Sequence, residues 1–357
     1  MSTLYEKLKS RSTIKESSLV SNSKFFKPKE PASTYIPALN IALSGKVDGG
    51  ISSGLLQVCG PSKHFKTLFS LIMAKAYLDK YPDAMLLYYD SEFGTPISYF
   101  NTLNIDIERV FHIPFNNIEE FKFDVAQQLE KKEDKENFFI IVDSIGNSAS
   151  KKEVEDALDS KSVGDMTRAK QIKSCFRIIT PYLTSRDVPM VVVNHTYKTQ
   201  ETYSKDVVGG GTGIYYSSDN IWIVGRQQEK DGTELTGYNF IINIEKSRHV
   251  KEKSKIAITV SFEGGISKWS GLLEMALDSG HVIKPKNGWY QRVNLETGEI
   301  SEKNYRRGDT DNKEFWNPIL SSPSFSKYLE KEYILSSSAM MSEEDSEIEV
   351  YGKLDTE

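Results

Sequence analysis

A chain of 357 residues with 38% hydrophobic and 27% charged side chains has a globular balance, which excludes a wholly disordered or membrane-embedded protein. Two cysteines, Cys59 and Cys175, and five scattered histidines exclude a disulfide scaffold and a cysteine-rich zinc site. The net charge of −5 is uneven: residues 341–357 hold seven acids against Lys353, or −6, which leaves +1 on residues 1–340 and permits a local basic surface.

The N-terminus lacks an apolar stretch of signal-peptide length, and no 18-residue apolar run occurs elsewhere, so a soluble, intracellular protein without membrane contact is expected. Residues 1–34 read as an accessory arm. Leu4 and Leu8 share one face of a short helix, and a Ser/Lys/Pro-rich stretch with Phe25 and Phe26 follows. From Leu55 short apolar strands alternate with helices. Strands are predicted at 55–59, 84–89, 110–113, 138–142 and 189–193, the fourth apolar enough to be covered on both faces. Helices are predicted over Phe65–Tyr81, after Thr95-Pro96 with Thr95 as cap, and from a capping box at Asn117 and Glu120 to about Lys132. Another is capped by Asp165, buries Met166, Ala169, Ile172, Phe176 and Ile179, and is ended or kinked by Pro181.

Three further strands, 220–224, 238–244 and 255–262, follow without long helices between them, with a turn at Asp231-Gly232. The pattern predicts an α/β fold whose mostly parallel sheet continues into an antiparallel edge, one domain over 35–270. Residues 271–335 read as a small α/β lobe with a helix at Leu272–Asp278, a hairpin around Asn294–Gly298 and a helix near Phe325–Tyr333. Residues 336–357 read as an acidic disordered tail.

Gly60, Pro61, Ser62, Lys63, His64, Phe65, Lys66 and Thr67 follow a strand and open a helix, the context in which backbone amides surround a phosphate. Lys66 would bridge the terminal phosphates and Thr67 would bind magnesium. Phe65 stands where the usual pattern has glycine, and a lone G-x5-K-T arises readily by chance. Asp143 ends the apolar strand 138–142, where a magnesium-binding carboxylate belongs. Asp90 and Glu92 end the strand 84–89 on the same sheet edge. Glu92 is the candidate general base and Asp90 a loop-capping carboxylate. Asn194-His195 closes the next strand there, either as a phosphate sensor or as a hydrogen-bonded turn. Together these strand ends point to an ATP or GTP hydrolase.

The chain resembles the RecA-type strand-exchange recombinases, and within them the branch of T4-like bacteriophages. The resemblance lies in NIALSGKVDGG (40–50), GPSKHFKT (60–67), YYDSEFG (88–94), IVDSIGNSASKKE (141–153), VVVNHTY (191–197), GGGTGIYYSSDNIW (209–222), INIEKSR (242–248) and KPKNGWY (284–290), and covers roughly residues 20–330. It implies a RecA-like P-loop ATPase core, an N-terminal oligomerisation arm, and a helical homo-oligomeric filament on single-stranded DNA with ATP and Mg2+ between subunits. Strand exchange with a homologous duplex, in recombination, repair and replication, is the implied activity. Glu92 matches the catalytic glutamate, Asp143 the magnesium-shell aspartate and His195 the phosphate sensor.

Tyr99 matches the adenine-stacking position, though it also reads as a surface-helix tyrosine. Lys246 and Arg248 match a basic pair that reaches the neighbour's phosphates, or else decorate a solvated strand face. Glu155–Asp165, followed by Arg168, corresponds to a first DNA loop, and Thr196–Thr212 to a second, a segment without apolar periodicity. Lys198, Tyr203, Lys205 and the amides of Gly209, Gly210 and Gly211 are its candidate DNA contacts. The resemblance further implies a single-strand-binding protein and a mediator as partners, and work in the cytoplasm of the infected host. A hexameric RecA-core helicase, told apart by ring assembly, and a nucleotide-dependent mediator or scaffold, told apart by negligible DNA-dependent turnover, are the alternatives.

Overall fold

The structure, a computed structural model, describes residues 3–26, 29–159, 167–199 and 206–335. The predicted cap residue Asp165, the helix residue Met166, the candidate DNA contacts Tyr203 and Lys205, and the acidic tail lie outside the described residues. Helix α1 (Leu4–Arg11) opens with a capping box between Thr3 and Glu6. Leu4, Leu8, Phe25 and Phe26 are all exposed on this segment. The chain joins the core at Ala32, which pairs antiparallel with Ile51.

Helix α2 (Pro37–Ser44) starts with proline at its first turn and leads to β1 (Gly54–Cys59), α3 (Lys66–Lys80) and β2 (Met85–Asp90). Helix α4 (Ile97–Thr102), β3 (Val110–Pro114), α5 (Ile118–Lys131), β4 (Phe138–Asp143), α6 (Lys151–Leu158), α7 (Thr167–Ser185) and β5 (Pro189–Asn194) continue the alternation. A two-stranded hairpin, β6 (Thr196–Lys198) with β7 (Asp206–Val208), precedes α8 (Thr212–Ser217). Then come β8 (Asn220–Asp231), β9 (Glu234–Lys246), β10 (Lys255–Ser261) and β11 (Gly265–Ile266). The chain ends its described part with α9 (Leu272–Asp278), β12 (Val282–Lys286), β13 (Trp289–Arg292), β14 (Tyr305–Arg306), α10 (Lys313–Leu320) and α11 (Pro323–Tyr333).

The main sheet has the order β11-β10-β9-β8-β1-β5-β4-β2-β3. Its strands from β8 to β3 run parallel, and β9, β10 and β11 extend it antiparallel, as the sequence pattern predicts. Alternate residues feed two cores. Leu56, Val58, Leu86, Phe139, Ile141 and Val191 pack toward α2 and α3, while Leu55, Leu87, Ile140, Val142 and Val192 pack toward α5 and α7. β4 is buried throughout, which accounts for its unbroken apolar run. The first core runs on into the C-terminal segment through Trp269, which stacks on Trp316 at 6.3 Å.

Four local predictions need correction. Thr95 does not cap α4, because its hydroxyl is bonded to the Tyr88 hydroxyl at 2.7 Å and Pro96 takes the cap position. Glu120 does not close a reciprocal box on the Asn117 N–H; its carboxylate accepts from Asn116 N and from the Asn117 side-chain amide, each at 2.8 Å. Ala169 is exposed, and the buried stripe of α7 is Ile172, Cys175, Phe176, Ile179 and Leu183. Of the two outcomes expected of Pro181, the end of the helix does not occur: α7 continues to Ser185, and the lost bond to the carbonyl one turn earlier is offset by the burial of Leu183 beyond it. Separately, the segment 196–212, read as lacking apolar periodicity, has its stems paired as β6 and β7.

Candidate functional site

The loop 60–67 leaves β1 and turns sharply into α3. Gly60 is required here, since a Cβ would lie 2.9 Å from the Val224 carbonyl oxygen. Phe65 takes the left-handed conformation (φ 63°, ψ 13°) that glycine usually supplies. Its ring explains why phenylalanine is tolerated: it stacks on Phe240 of β9 at 4.9 Å and meets Phe69 of α3 edge-on at 5.4 Å. Arg226 of β8 lies over Tyr238 and donates to the Lys63 carbonyl at 3.3 Å, so β8 and β9 brace the loop from below.

The loop opens onto a cleft of about 430 Å³, a size that suits a small-molecule ligand. Ser62, Lys63, His64, Phe65, Lys66 and Thr67 line it from the loop; Glu92, Asp143 and His195 enter from the strand ends and Tyr99 from α4. Lys66 is buried and its ammonium donates to the Pro61 carbonyl at 2.8 Å. Burial pushes this ammonium down from its ordinary value, opposed by the charges of Asp143 and Glu92. Asp143 is 4% exposed. Its Oδ2 accepts from the Thr67 hydroxyl at 2.7 Å and the Tyr88 hydroxyl at 3.0 Å. Burial raises the Asp143 carboxyl despite those donors, and among the described residues no cation forms an ion pair with it. Within the described residues Asp143 thus meets two hydroxyl donors and the field of Lys66, with no direct ion pair. A buried carboxylate beside a threonine hydroxyl is a donor set that fits a hard divalent cation.

Asp90 caps its turn, accepting from Glu92 N at 3.0 Å and Phe93 N at 2.8 Å. This turn presents Glu92 to the cleft. Glu92 Oε1 accepts from the Ser144 hydroxyl at 2.5 Å and the Asn147 amide at 3.2 Å, and lies 3.1 Å from His195 Nε2. Burial pushes the Glu92 carboxyl up, yet Ser144, His195 and Lys66 together hold it below its ordinary value. Behind His195, Asn194 Nδ2 donates to Gln57 Oε1 at 3.0 Å and to the Gly209 carbonyl at 2.9 Å. Gly209 N donates to the His195 carbonyl at 2.8 Å, which closes the base of the β6–β7 hairpin against the cleft.

The remaining predicted residues fall elsewhere. Lys198 is exposed on β6, and Gly210 and Gly211 have φ of 86° and 76° in the turn before α8. Arg168 turns inward at the start of α7, and its guanidinium donates to the carbonyls of Ile145, Gly146 and Ser148. Lys246 and Arg248 lie at the sheet edge opposite the phosphate loop, since Lys246 pairs with Ile221 and Asn220 pairs with Leu56 near the start of β1. Lys246 donates to the Ser218 carbonyl at 2.7 Å, and Arg248 pairs with Asp219 at 2.6 Å. They are thus out of reach of their own chain's cleft. Ser144, Asn147, Gln57 and Arg226 are site residues that the sequence reading missed. Gln57 alone left a signal, as the polar residue inside the apolar strand 55–59.

Residues 17–267 match the family model of the RecA N-terminal domain, and residues 269–329 that of the C-terminal domain of the bacteriophage T4 recombination and repair protein. The recombination and repair protein of Enterobacteria phage T4 is 50% identical over 339 residues, 94% of this chain and 87% of that protein. RecA of Streptomyces coelicolor is 25% identical over 296 residues, 82% of this chain and 76% of that protein. RecA of Cutibacterium acnes is 23% identical over 281 residues, 77% of each. With residues 17–267 matched by a family model and 94% of its length matched by a relative at 50% identity, the chain belongs to the RecA family, alongside the T4 recombination and repair protein.

Proposed function

We propose that this chain is an ATP-dependent DNA recombinase that assembles as a helical filament on single-stranded DNA and exchanges strands with a homologous duplex. The observation that carries this reading is the cleft in which Lys66, Thr67, Asp143 and Glu92 meet, joined through His195 to the base of a hairpin. A hydrolytic site and a candidate DNA segment thereby share one hydrogen-bonded network.

In this reading the loop amides and Lys66 hold the ATP phosphates, and Tyr99 stacks on adenine. Thr67 and Asp143 would hold a magnesium ion, partly through water, and such an ion supplies charge neutralisation at the phosphate oxygens. Glu92, kept ionised at neutral pH by its donors, orients the attacking water and takes its proton. Lys246 and Arg248 serve the neighbouring subunit's phosphates, which their distance from their own cleft supports. His195 carries the state of that site to the hairpin. Lys198 and the amides of Gly209, Gly210 and Gly211 meet the DNA backbone, with Tyr203 and Lys205 in the undescribed part of the same loop. Arg168 acts one step back, fixing the turn 145–148.

We divide the chain into a contact arm (1–34), the ATPase core (35–270), a small lobe (271–335) and an acidic tail (336–357). A single-strand-binding protein and a recombination mediator are its proposed partners, in the cytoplasm of a phage-infected cell. Among the described residues no helix is long and apolar enough to cross a membrane. The test is strand exchange between a single strand and a homologous duplex, with and without magnesium-ATP. Exchange that needs magnesium-ATP and is abolished in Lys66→Ala is expected. Normal DNA-stimulated turnover in Lys66→Ala would refute the assignment.

A further inference from the structure

Two segments meet at Glu92 from opposite sides. His195 begins the hairpin arm of the proposed DNA surface, and its Nε2 lies 3.1 Å from Glu92 Oε1. Asn147 reaches the same oxygen from the turn after β4, at 3.2 Å. That turn is held by Arg168, the second residue of α7, whose guanidinium grips the carbonyls of Ile145, Gly146 and Ser148. The Ser148 hydroxyl adds a bond to the Ser144 carbonyl at 2.9 Å. α7 begins directly after residues 160–166, so the root of the first candidate DNA segment sets the position of Asn147.

The three groups compete for few atoms. Glu92 Oε1 is approached by Ser144, Asn147 and His195, one donor more than its two lone pairs accommodate well. Asn147 Nδ2 also lies 3.3 Å from His195 Nε2. A protonated Nε2 donates to Glu92 and cannot accept from Asn147. With the ring proton on Nδ1, Nε2 accepts one hydrogen of the Asn147 amide while the other still reaches Glu92, which then has two donors, Ser144 and Asn147, in place of three. The first arrangement blunts the basicity of Glu92; the second, with one donor fewer, blunts it less.

We propose that Asn147 is a positioning residue that selects between these two arrangements, and so couples the α7 root of the DNA surface to Glu92 beside the route through His195. This rests on the recombinase reading above. Asn147 is exposed on a surface turn, so its contacts add little to fold stability and its substitution leaves the chain folded.

The experiment measures ATP turnover of the full chain with and without a saturating single-stranded oligonucleotide. Wild type, Asn147→Ala, Asn147→Asp, His195→Ala and the Asn147→Ala/His195→Ala pair are compared. Asn147→Asp keeps the shape and removes the donor. Both Asn147 variants are expected to lose about tenfold in DNA-stimulated kcat, the size of one hydrogen bond to a charged group, with KM for ATP unchanged. In the His195→Ala background, Asn147→Ala should add nothing, since the choice it governs no longer exists. Wild-type stimulation in Asn147→Asp, or fully additive losses in the pair, would overturn the proposal while leaving the recombinase reading intact. A wild type that DNA does not stimulate overturns that reading, and this inference with it.

Discussion

Replacing Phe65 separates two opposing contributions at the phosphate loop. The residue sits at φ 63°, ψ 13°, where a side-chain-bearing residue costs about 1–2 kcal/mol relative to glycine. Against this, the ring makes two aromatic contacts, at 4.9 Å with Phe240 and 5.4 Å with Phe69, each contributing about 1 kcal/mol. Its half-burial adds about 1–1.5 kcal/mol. Phe65→Gly loses the ring and relieves the strain, for a net destabilisation of about 2 kcal/mol. Phe65→Ala loses the ring and keeps the strain, so it should be worse by about 1 kcal/mol despite being the smaller chemical change. Urea and thermal unfolding of the three proteins without nucleotide test this order. The gap between the two variants corresponds to about 2–4 °C in a domain of this size. If Phe65→Ala is as stable as Phe65→Gly or more so, the left-handed conformation is not what the aromatic contacts offset, and the account of the loop fails.

Asp143→Asn should make the nucleotide-free protein more stable at neutral pH. Burial raises the folded-state carboxyl above its ordinary value, so the folded chain binds the proton more tightly, and wild type loses stability as pH rises through that window. Melting curves from about pH 3 to about pH 7 should show the variant's advantage appear only above the ordinary carboxylate range, and magnesium-ATP should stabilise wild type alone. Arg168→Ala should destabilise the protein by about 2–3 kcal/mol, because three carbonyls lose a charged donor. Its salt slope for single-stranded DNA should match wild type, whereas Lys198→Ala should flatten the slope by about 0.7. A flattened slope in Arg168→Ala would return that residue to the DNA surface. The Lys246→Ala/Arg248→Ala double variant and Lys66→Ala should each be inactive alone yet recover partial ATP turnover when mixed, since some interfaces then join an intact loop to an intact basic pair. No recovery on mixing would argue against action across the interface.

The strand ends carried most of what the sequence could say. Apolar runs ending in Asp143, Asp90 and Asn194 located one sheet edge, because parallel strands send their C-terminal ends the same way. Glycine-poor as it is, the loop from Gly60 to Thr67 was legible from its context between strand and helix. Side-chain partnership was not legible. The resemblance placed Arg168 beside a DNA loop, and its three acceptors in the structure are backbone carbonyls more than 19 residues away, between Ile145 and Ser148, which no local pattern reveals. Thr95 looked like a helix cap until Tyr88, seven residues earlier, claimed its hydroxyl.

What the sequence by itself determined is therefore the central alternation of strands and helices, the phosphate loop and the acids that share its edge. These follow from local periodicity and from chain direction. Only the tertiary structure decided how Phe65 is held, which donors share Glu92 Oε1, and that Lys246 and Arg248 sit at the far edge of the sheet from their own cleft. Those outcomes depend on contacts between residues distant in the chain, which no local pattern records.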